Sequence, residues 1–158
     1  MTTRDMVGAF LIYGDKVLLM HRGLHKKLAP GMWSAIGGHI EQGELNNPLA
    51  ACYREIEEET GITGDSIINL RLRYISVRNT EDEIRVVYYF FGNTTEEIIL
   101  QPCDEGTLHW VDIRDIPTKP MTFSVEEITR HWLANPDSDS VYVCCVNKDN
   151  NHSTWGEL

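Results

Sequence analysis

Residues 37–62 read Gly37-Gly38-His39-Ile40-Glu41-Gln42-Gly43-Glu44-Leu45-Asn46-Asn47-Pro48-Leu49-Ala50-Ala51-Cys52-Tyr53-Arg54-Glu55-Ile56-Glu57-Glu58-Glu59-Thr60-Gly61-Ile62. The second half of this stretch carries helix signals at both ends. Asn47 is a side-chain N-cap, Pro48 fits the first helical position, and Gly61 can end the helix in a left-handed conformation. Ala50, Ala51, Cys52, Ile56 and Thr60 lie toward one side. Glu55, Glu58 and Glu59 lie three and four residues apart, so their carboxylates project as neighbours one turn apart, while Glu57 points elsewhere. Between Gly38 and Ile62 six glutamates face one arginine, a segment charge of −5 within a chain of net charge −10. Such crowding calls for solvent or for a cation. An all-oxygen donor set suits Mg²⁺ or Mn²⁺ far better than zinc. A solvated acidic helix is the plainer reading of the same spacing.

Outward from this stretch the pattern is sheet. Met6 to Tyr13 and Val17 to His21 are apolar runs joined by Gly14-Asp15-Lys16, which predicts an antiparallel hairpin. Trp33 to Ile36 reads as a short strand ending at Gly37-Gly38. Ile68 to Ser76 alternates as a long strand, and Arg85 to Gly92 is apolar enough to be a central strand covered on both faces. Leu108 to Val111 and Val141 to Val146 complete the strands. Ser124 to Leu133 predicts a second helix, with Ser124 and Glu127 at capping-box spacing. The tail from about residue 148 is polar apart from Trp155 and Leu158, so fraying is expected there. One mixed α/β domain over residues 1–158 accounts for the whole plan.

Composition narrows the function. Fourteen basic against twenty-four acidic residues disfavours a long nucleic acid or an anionic membrane as partner. No apolar run approaches the roughly 20 residues that span a bilayer. Four cysteines without a CxxC pair read as reduced, mostly buried thiols, and the first residues read as a strand, not a leader; both favour the cytoplasm.

The quoted stretch closely resembles the Nudix box: Gly, five residues, Glu, seven residues, Arg-Glu, an aliphatic, any residue, Glu-Glu, any residue, Gly, an aliphatic. Gly38 and Glu44 match its first half; Arg54, Glu55, Ile56, Glu58, Glu59, Gly61 and Ile62 match the second. The gap between Glu44 and Arg54 holds nine residues where seven are usual, and the surplus is placed at Leu45-Asn46, in a loop where added length costs little. The resemblance implies an α/β/α sandwich with a mixed β-sheet and a loop-helix-loop catalytic box. It implies Mg²⁺- or Mn²⁺-dependent hydrolysis of nucleoside diphosphate derivatives by a monomer or homodimer. Glu55, Glu58 and Glu59 are the expected metal ligands, with a backbone ligand from Gly38, and Arg54 is expected to pair with Glu44 and hold the loop on the helix.

Other handles follow from the residues around the box. Glu105 is a candidate distal acid, as metal ligand or general base, with Glu96 and Glu97 as alternatives. Arg22 and Lys27, with His25 and Lys26, make a positive region suited to diphosphate oxygens. Trp33 can stack a base or pack in the core. The stretch Gly31 to Gly38 resembles MutT-like members, which favours a nucleoside triphosphate cut to monophosphate and pyrophosphate, oxidised nucleotides included. Nucleotide sugars, dinucleoside polyphosphates, coenzyme diphosphates and a nucleotide-binding regulator without turnover are the alternatives. His39, His109 and Cys52 read as structural, Asn147, Asn150 and Asn151 as turn residues that can also meet a purine edge, and Arg71 and Arg73 as ligand-facing or solvated.

Overall fold

The computed structural model describes residues 1–158, which form nine strands and two α-helices. The predicted hairpin is β1 (Thr2–Tyr13) and β2 (Lys16–Arg22), but the two strands pair only beside the turn, at Ile12 with Val17 and Tyr13 with Lys16. Beyond that point they part. β1 pairs with β4 (Ile36–His39), and β2 pairs with β3 (Trp33–Ser34) and with β7 (Gly106–Asp112). On its other side β1 runs parallel to β6 (Glu83–Thr94), which pairs with β5 (Ile67–Asn79), then β8 (Tyr142–Val146) and β9 (Ser153–Glu157). The main path is β3-β2-β1-β6-β5-β8-β9, and β6 is central as its composition predicts.

Two cores sit on opposite faces of this mixed sheet. On one, α1 (Pro48–Thr60) packs Ala51, Cys52 and Ile56 against Val7, Leu11, Leu18 and Phe90. On the other, α2 (Phe123–Ala134) packs Val125, Ile128 and Trp132 against Phe10, Leu19, Tyr89 and Phe91. The alternation of neighbours such as Val7, Phe10 and Leu11 between the two clusters is the period-2 rule for a strand buried on both faces. This is the expected α/β/α sandwich. No helix is long and apolar enough to cross a membrane.

Four details depart from the sequence reading. The strand at Trp33 to Ile36 is two strands, and β4 continues through Gly37 and Gly38 to His39, with β1 so close at Gly37 that a Cβ there would lie 2.0 Å from Val7 O. β5 changes parity at two bulges, between Ile68 and Arg71 and between Leu72 and Tyr74, so Arg73 turns inward and is 3% exposed while Arg71 pairs with Asp139 outside. The capping box does not form: Thr122 occupies the N-cap position of α2, and Glu127 instead bonds Arg130 and Ser153. The tail does not fray. β9 adds to β8 at the sheet edge, and Trp155 stacks on His131 with ring centroids 4.5 Å apart, so one inward aromatic among polar residues secures a segment that composition alone reads as loose.

Candidate active site

The box helix starts and stops as its sequence dictates. Asn47 Oδ1 accepts the Ala50 N–H at 3.2 Å, Pro48 opens the helix, and Gly61 takes φ +76°, donating its N–H to Glu57 O at 2.9 Å. Thr60, buried, donates its hydroxyl to Ile56 O and accepts the Ile62 N–H. With Ala51, Cys52 and Ile56 turned into the core, Glu55 and Glu59 lie half-buried against β4, whereas Glu57 and Glu58 stay exposed.

Arg54 organises the loop that precedes the helix. Its Nε and Nη2 donate to the two oxygens of Glu44 at 2.8 and 2.9 Å, Nη2 also donates to His39 O, and Nη1 reaches Glu55 at 2.9 Å and Glu58 at 3.2 Å. Glu44 in turn accepts the Glu41 N–H at 3.0 Å. The expected Arg54–Glu44 pair is therefore present in its bidentate form, across the longer loop. The Arg54 bonds, with that of the Glu41 N–H, bring the Glu44 carboxyl down to about 2, and Glu44 raises the Arg54 guanidinium in turn. Within the longer loop Asn47 donates its N–H to Glu44 O at 2.8 Å.

Two adjacent glycines bring the backbone of β4 onto the acidic face of α1. Gly37 N–H donates to Glu59 Oε2 at 3.3 Å, and a Cβ on Gly38 would stand 2.6 Å from the Glu55 carboxyl group. Burial pushes the Glu59 carboxyl up to about 8, aided by the charges of Glu55 and Glu105 and opposed by the Gly37 N–H and Arg22. Burial also raises Glu55, against the pull of Arg54. Glu59 bonds no cationic side chain, and Glu55 shares Arg54 with Glu44 and Glu58. No three histidine, cysteine or acidic side chains converge into a finished metal cage, since Glu55 and Glu58 share the Arg54 guanidinium. The donor chemistry nonetheless fits a hard divalent cation: Glu55, Glu59 and Glu58 offer only oxygen, and Gly38, with no side chain, lets the Glu55 carboxyl lie against its backbone.

The remaining candidates divide. Glu105 lies close enough to Glu59 to raise it and is bound by Lys26 at 2.8 Å, whereas Glu97 pairs with Lys16 instead. Arg22 donates Nε to Leu28 O and reaches the same site, but Lys27 is exposed and is not brought to it. Trp33 is half-buried, stacked on His21 at 4.5 Å, tilted against His109, and covered by Lys119 Nζ at 4.6 Å, so it is both a packing residue and a cavity wall. His39 contributes its carbonyl, not its ring, and burial lowers His109. The Cys52 thiol is pushed up to about 12 by burial, which removes it as a nucleophile.

A cavity of about 200 Å³ runs from Gly37 and Arg22 across β1 and β6 to the start of α2. Arg78, Arg85 and Ser76 line it together with Asn150. The two arginines escaped the sequence reading. They face each other across β5 and β6, in a stretch whose alternation gives no sign that one face borders a cavity.

The NUDIX domain family model matches residues 2–133. A Bacillus subtilis (strain 168) protein named Uncharacterized Nudix hydrolase YvcI is 33% identical over 112 residues, 68% of this chain and 65% of that protein, so the chain spans just under two thirds of that relative. An isopentenyl-diphosphate Delta-isomerase of Corynebacterium diphtheriae is 30% identical over 135 residues, covering 76% of this chain and 72% of the isomerase. Among solved structures, a MutT protein from Bacillus halodurans superposes with a TM-score of 0.70 at 26% identity, over 98% of this chain and 97% of the other. With its sheet, its glycine-lined carboxylates and the Arg54–Glu44 clamp in place, the chain belongs to the NUDIX family.

Proposed function

We propose that this protein hydrolyses a nucleoside diphosphate derivative with Mg²⁺ or Mn²⁺, and that a nucleoside triphosphate, cut to a monophosphate and pyrophosphate, is the first substrate to test, oxidised purines included. The observation that carries the reading is the pair Glu55 and Glu59, packed against Gly37 and Gly38 with their carboxyls pushed toward protonation. A bound cation neutralises phosphoryl charge and lowers the pKa of a water. Glu55, Glu58 and Glu59 would hold it, with the Gly38 backbone. Arg54 positions Glu55 while anchored by Glu44. Gly37 N–H fixes one oxygen of Glu59, leaving the other to ligand or water. Glu105 is the candidate base, beside Glu59 and steadied by Lys26, and Arg22 is placed for a substrate oxygen. Trp33 walls the adjoining cavity, where the group attached to the diphosphate would lie.

The test is a mass-resolved product screen with Mg²⁺ or Mn²⁺, using nucleoside triphosphates, nucleotide sugars, dinucleotides and coenzyme diphosphates. Isopentenyl diphosphate belongs in the panel, given the isomerase relatives. Hydrolysis that stops on EDTA and returns with metal is expected. Full turnover in metal-free solution would overturn the mechanism, and tight binding without any turnover would favour the regulator.

A further inference from the structure

The cavity is lined by positive charge in a strongly acidic protein. Arg22, Arg78 and Arg85 line the cavity and no carboxylate does. Arg22 is turned to Leu28 O and sits at the box end. At the other end, Arg85 gives Nε and Nη2 to Glu83 Oε1 at 3.0 and 2.8 Å, and Arg4 also pairs with Glu83. Arg78 has no such partner: its Nε is buried and donates to nothing. Asn150, held at φ +57° in the turn between β8 and β9, lines the same cavity and carries a second buried and unpartnered atom, Oδ1. A buried guanidinium N–H and a buried amide oxygen left unpaired are each costly, so finding both on residues that line one cavity points to a ligand that completes them.

Strand register sets the distance from the box. Gly37 lies opposite Gly8, Gly8 opposite Tyr89, and Arg85 is four residues along β6 from Tyr89, with Arg78 opposite it. Four residues of strand are about 13 Å. A nucleoside triphosphate keeps its negative charge at the diphosphate end, beside Arg22. The guanidiniums at the far end have nothing to meet in such a molecule.

Resting on the hydrolase reading above, we propose that Arg78 and Asn150 form a subsite for a sugar that carries an anionic group, phosphate or carboxylate, beside a free hydroxyl. Arg78 Nε donates to the anion, Asn150 Oδ1 accepts from the hydroxyl, and Arg85 adds positive field while braced by Glu83. The favoured substrate is then a nucleoside diphosphate derivative with a charged sugar remote from the scissile bond.

Two matched pairs test this: NADPH with NADH for a phosphate, and UDP-glucuronate with UDP-glucose for a carboxylate, each assayed for kcat/KM with Mg²⁺ beside a nucleoside triphosphate panel. The charged member of one pair should be preferred by about tenfold or more, the usual effect of a charge-assisted hydrogen bond. The pair that shows it tells phosphate from carboxylate. Arg78→Gln should abolish the preference while the neutral member changes by less than about threefold. Equal kcat/KM within both pairs, a preference that survives Arg78→Gln, or turnover confined to triphosphates overturns the subsite and leaves the hydrolase reading standing. If nothing is turned over, the hydrolase reading fails, and calorimetric Kd values for the same four compounds decide the subsite alone. Should Arg78→Gln melt early, Asn150→Ala and the wild-type preference carry the test.

Discussion

The paired glycines at the box predict opposite outcomes for two adjacent substitutions. A Cβ on Gly37 would lie 2.0 Å from Val7 O and 2.9 Å from Gly8 Cα, so Gly37→Ala forces backbone away from backbone by about 1 Å to reach even the 3.0 Å at which real contacts begin. That strain falls on the four pairs that join β4 to β1, from Met6–His39 to Ala9–Ile36. Overpacking of this kind costs about 1–3 kcal/mol, and more where no side chain can yield. At about 2–4 °C per kcal/mol for a chain of this size, the melting temperature should drop by roughly 2–12 °C. Gly38→Ala meets only the end of a side chain, the Glu55 carboxyl at 2.6 Å. Glu55 can swing aside, so the metal-free melting temperature should stay within about 4 °C of wild type. The displaced carboxyl should instead weaken the stabilisation that Mg²⁺ or Mn²⁺ confers. Thermal melts of the wild type and both variants, with and without metal, read both effects. A Gly37→Ala protein as stable as wild type, or a Gly38→Ala protein with an undiminished metal response, would refute the reasoning.

Three further outcomes are expected. Glu59→Gln should lower turnover at least about a hundredfold, as loss of a charged catalytic-site group commonly does, while exposed Glu57→Gln stays within about threefold; initial rates on proteins with matching circular dichroism would show whether the two differ. Glu44, with its carboxyl brought from 4.5 to about 2, stabilises the fold above pH 4.5 and loses that contribution as the pH falls toward 2; urea melts from pH 6 to 2 should show the loss in the wild type and a flatter profile in Glu44→Gln. Ile56, fully buried between α1 and the sheet, should cost about 2–5 kcal/mol on truncation to alanine, measured by denaturant unfolding.

Much of the box was legible because its signals are local. Asn47, Pro48 and Gly61 act within one turn of their own positions, and the spacing of Ala51, Cys52 and Ile56 fixes by rotation which face carries Glu55 and Glu59. The Arg54–Glu44 clamp could be read for the same reason, since its partners flank one loop. Long-range geometry was not legible. Whether Arg73 or Arg71 turns inward depends on two bulges set by the mismatch between β5 and β6. The cavity wall at Arg78, Arg85 and Asn150 is assembled from two strands and a distant turn. The tail misled because its anchoring contacts, the β8–β9 pairing, Ser153 on Glu127 and Trp155 on His131, join it to other elements.

The parallel pairing of β1 with β6 sets a delay on biosynthesis. Thr2 closes onto Asp82, and β1, an interior strand of the finished sheet, finds its neighbour only when β6 has been made. At ribosomal speeds of about 5–20 residues per second, some 80 residues take roughly 4–16 s to follow. Throughout that interval the nascent chain holds an apolar N-terminal strand with one open edge, while the hairpin with β2 is tied at only two residue pairs. β1 is therefore made some 80 residues ahead of the neighbour that closes its edge, and it is there, not at the late-made edge strand β9, that a chaperone handling the growing chain would find exposed apolar surface.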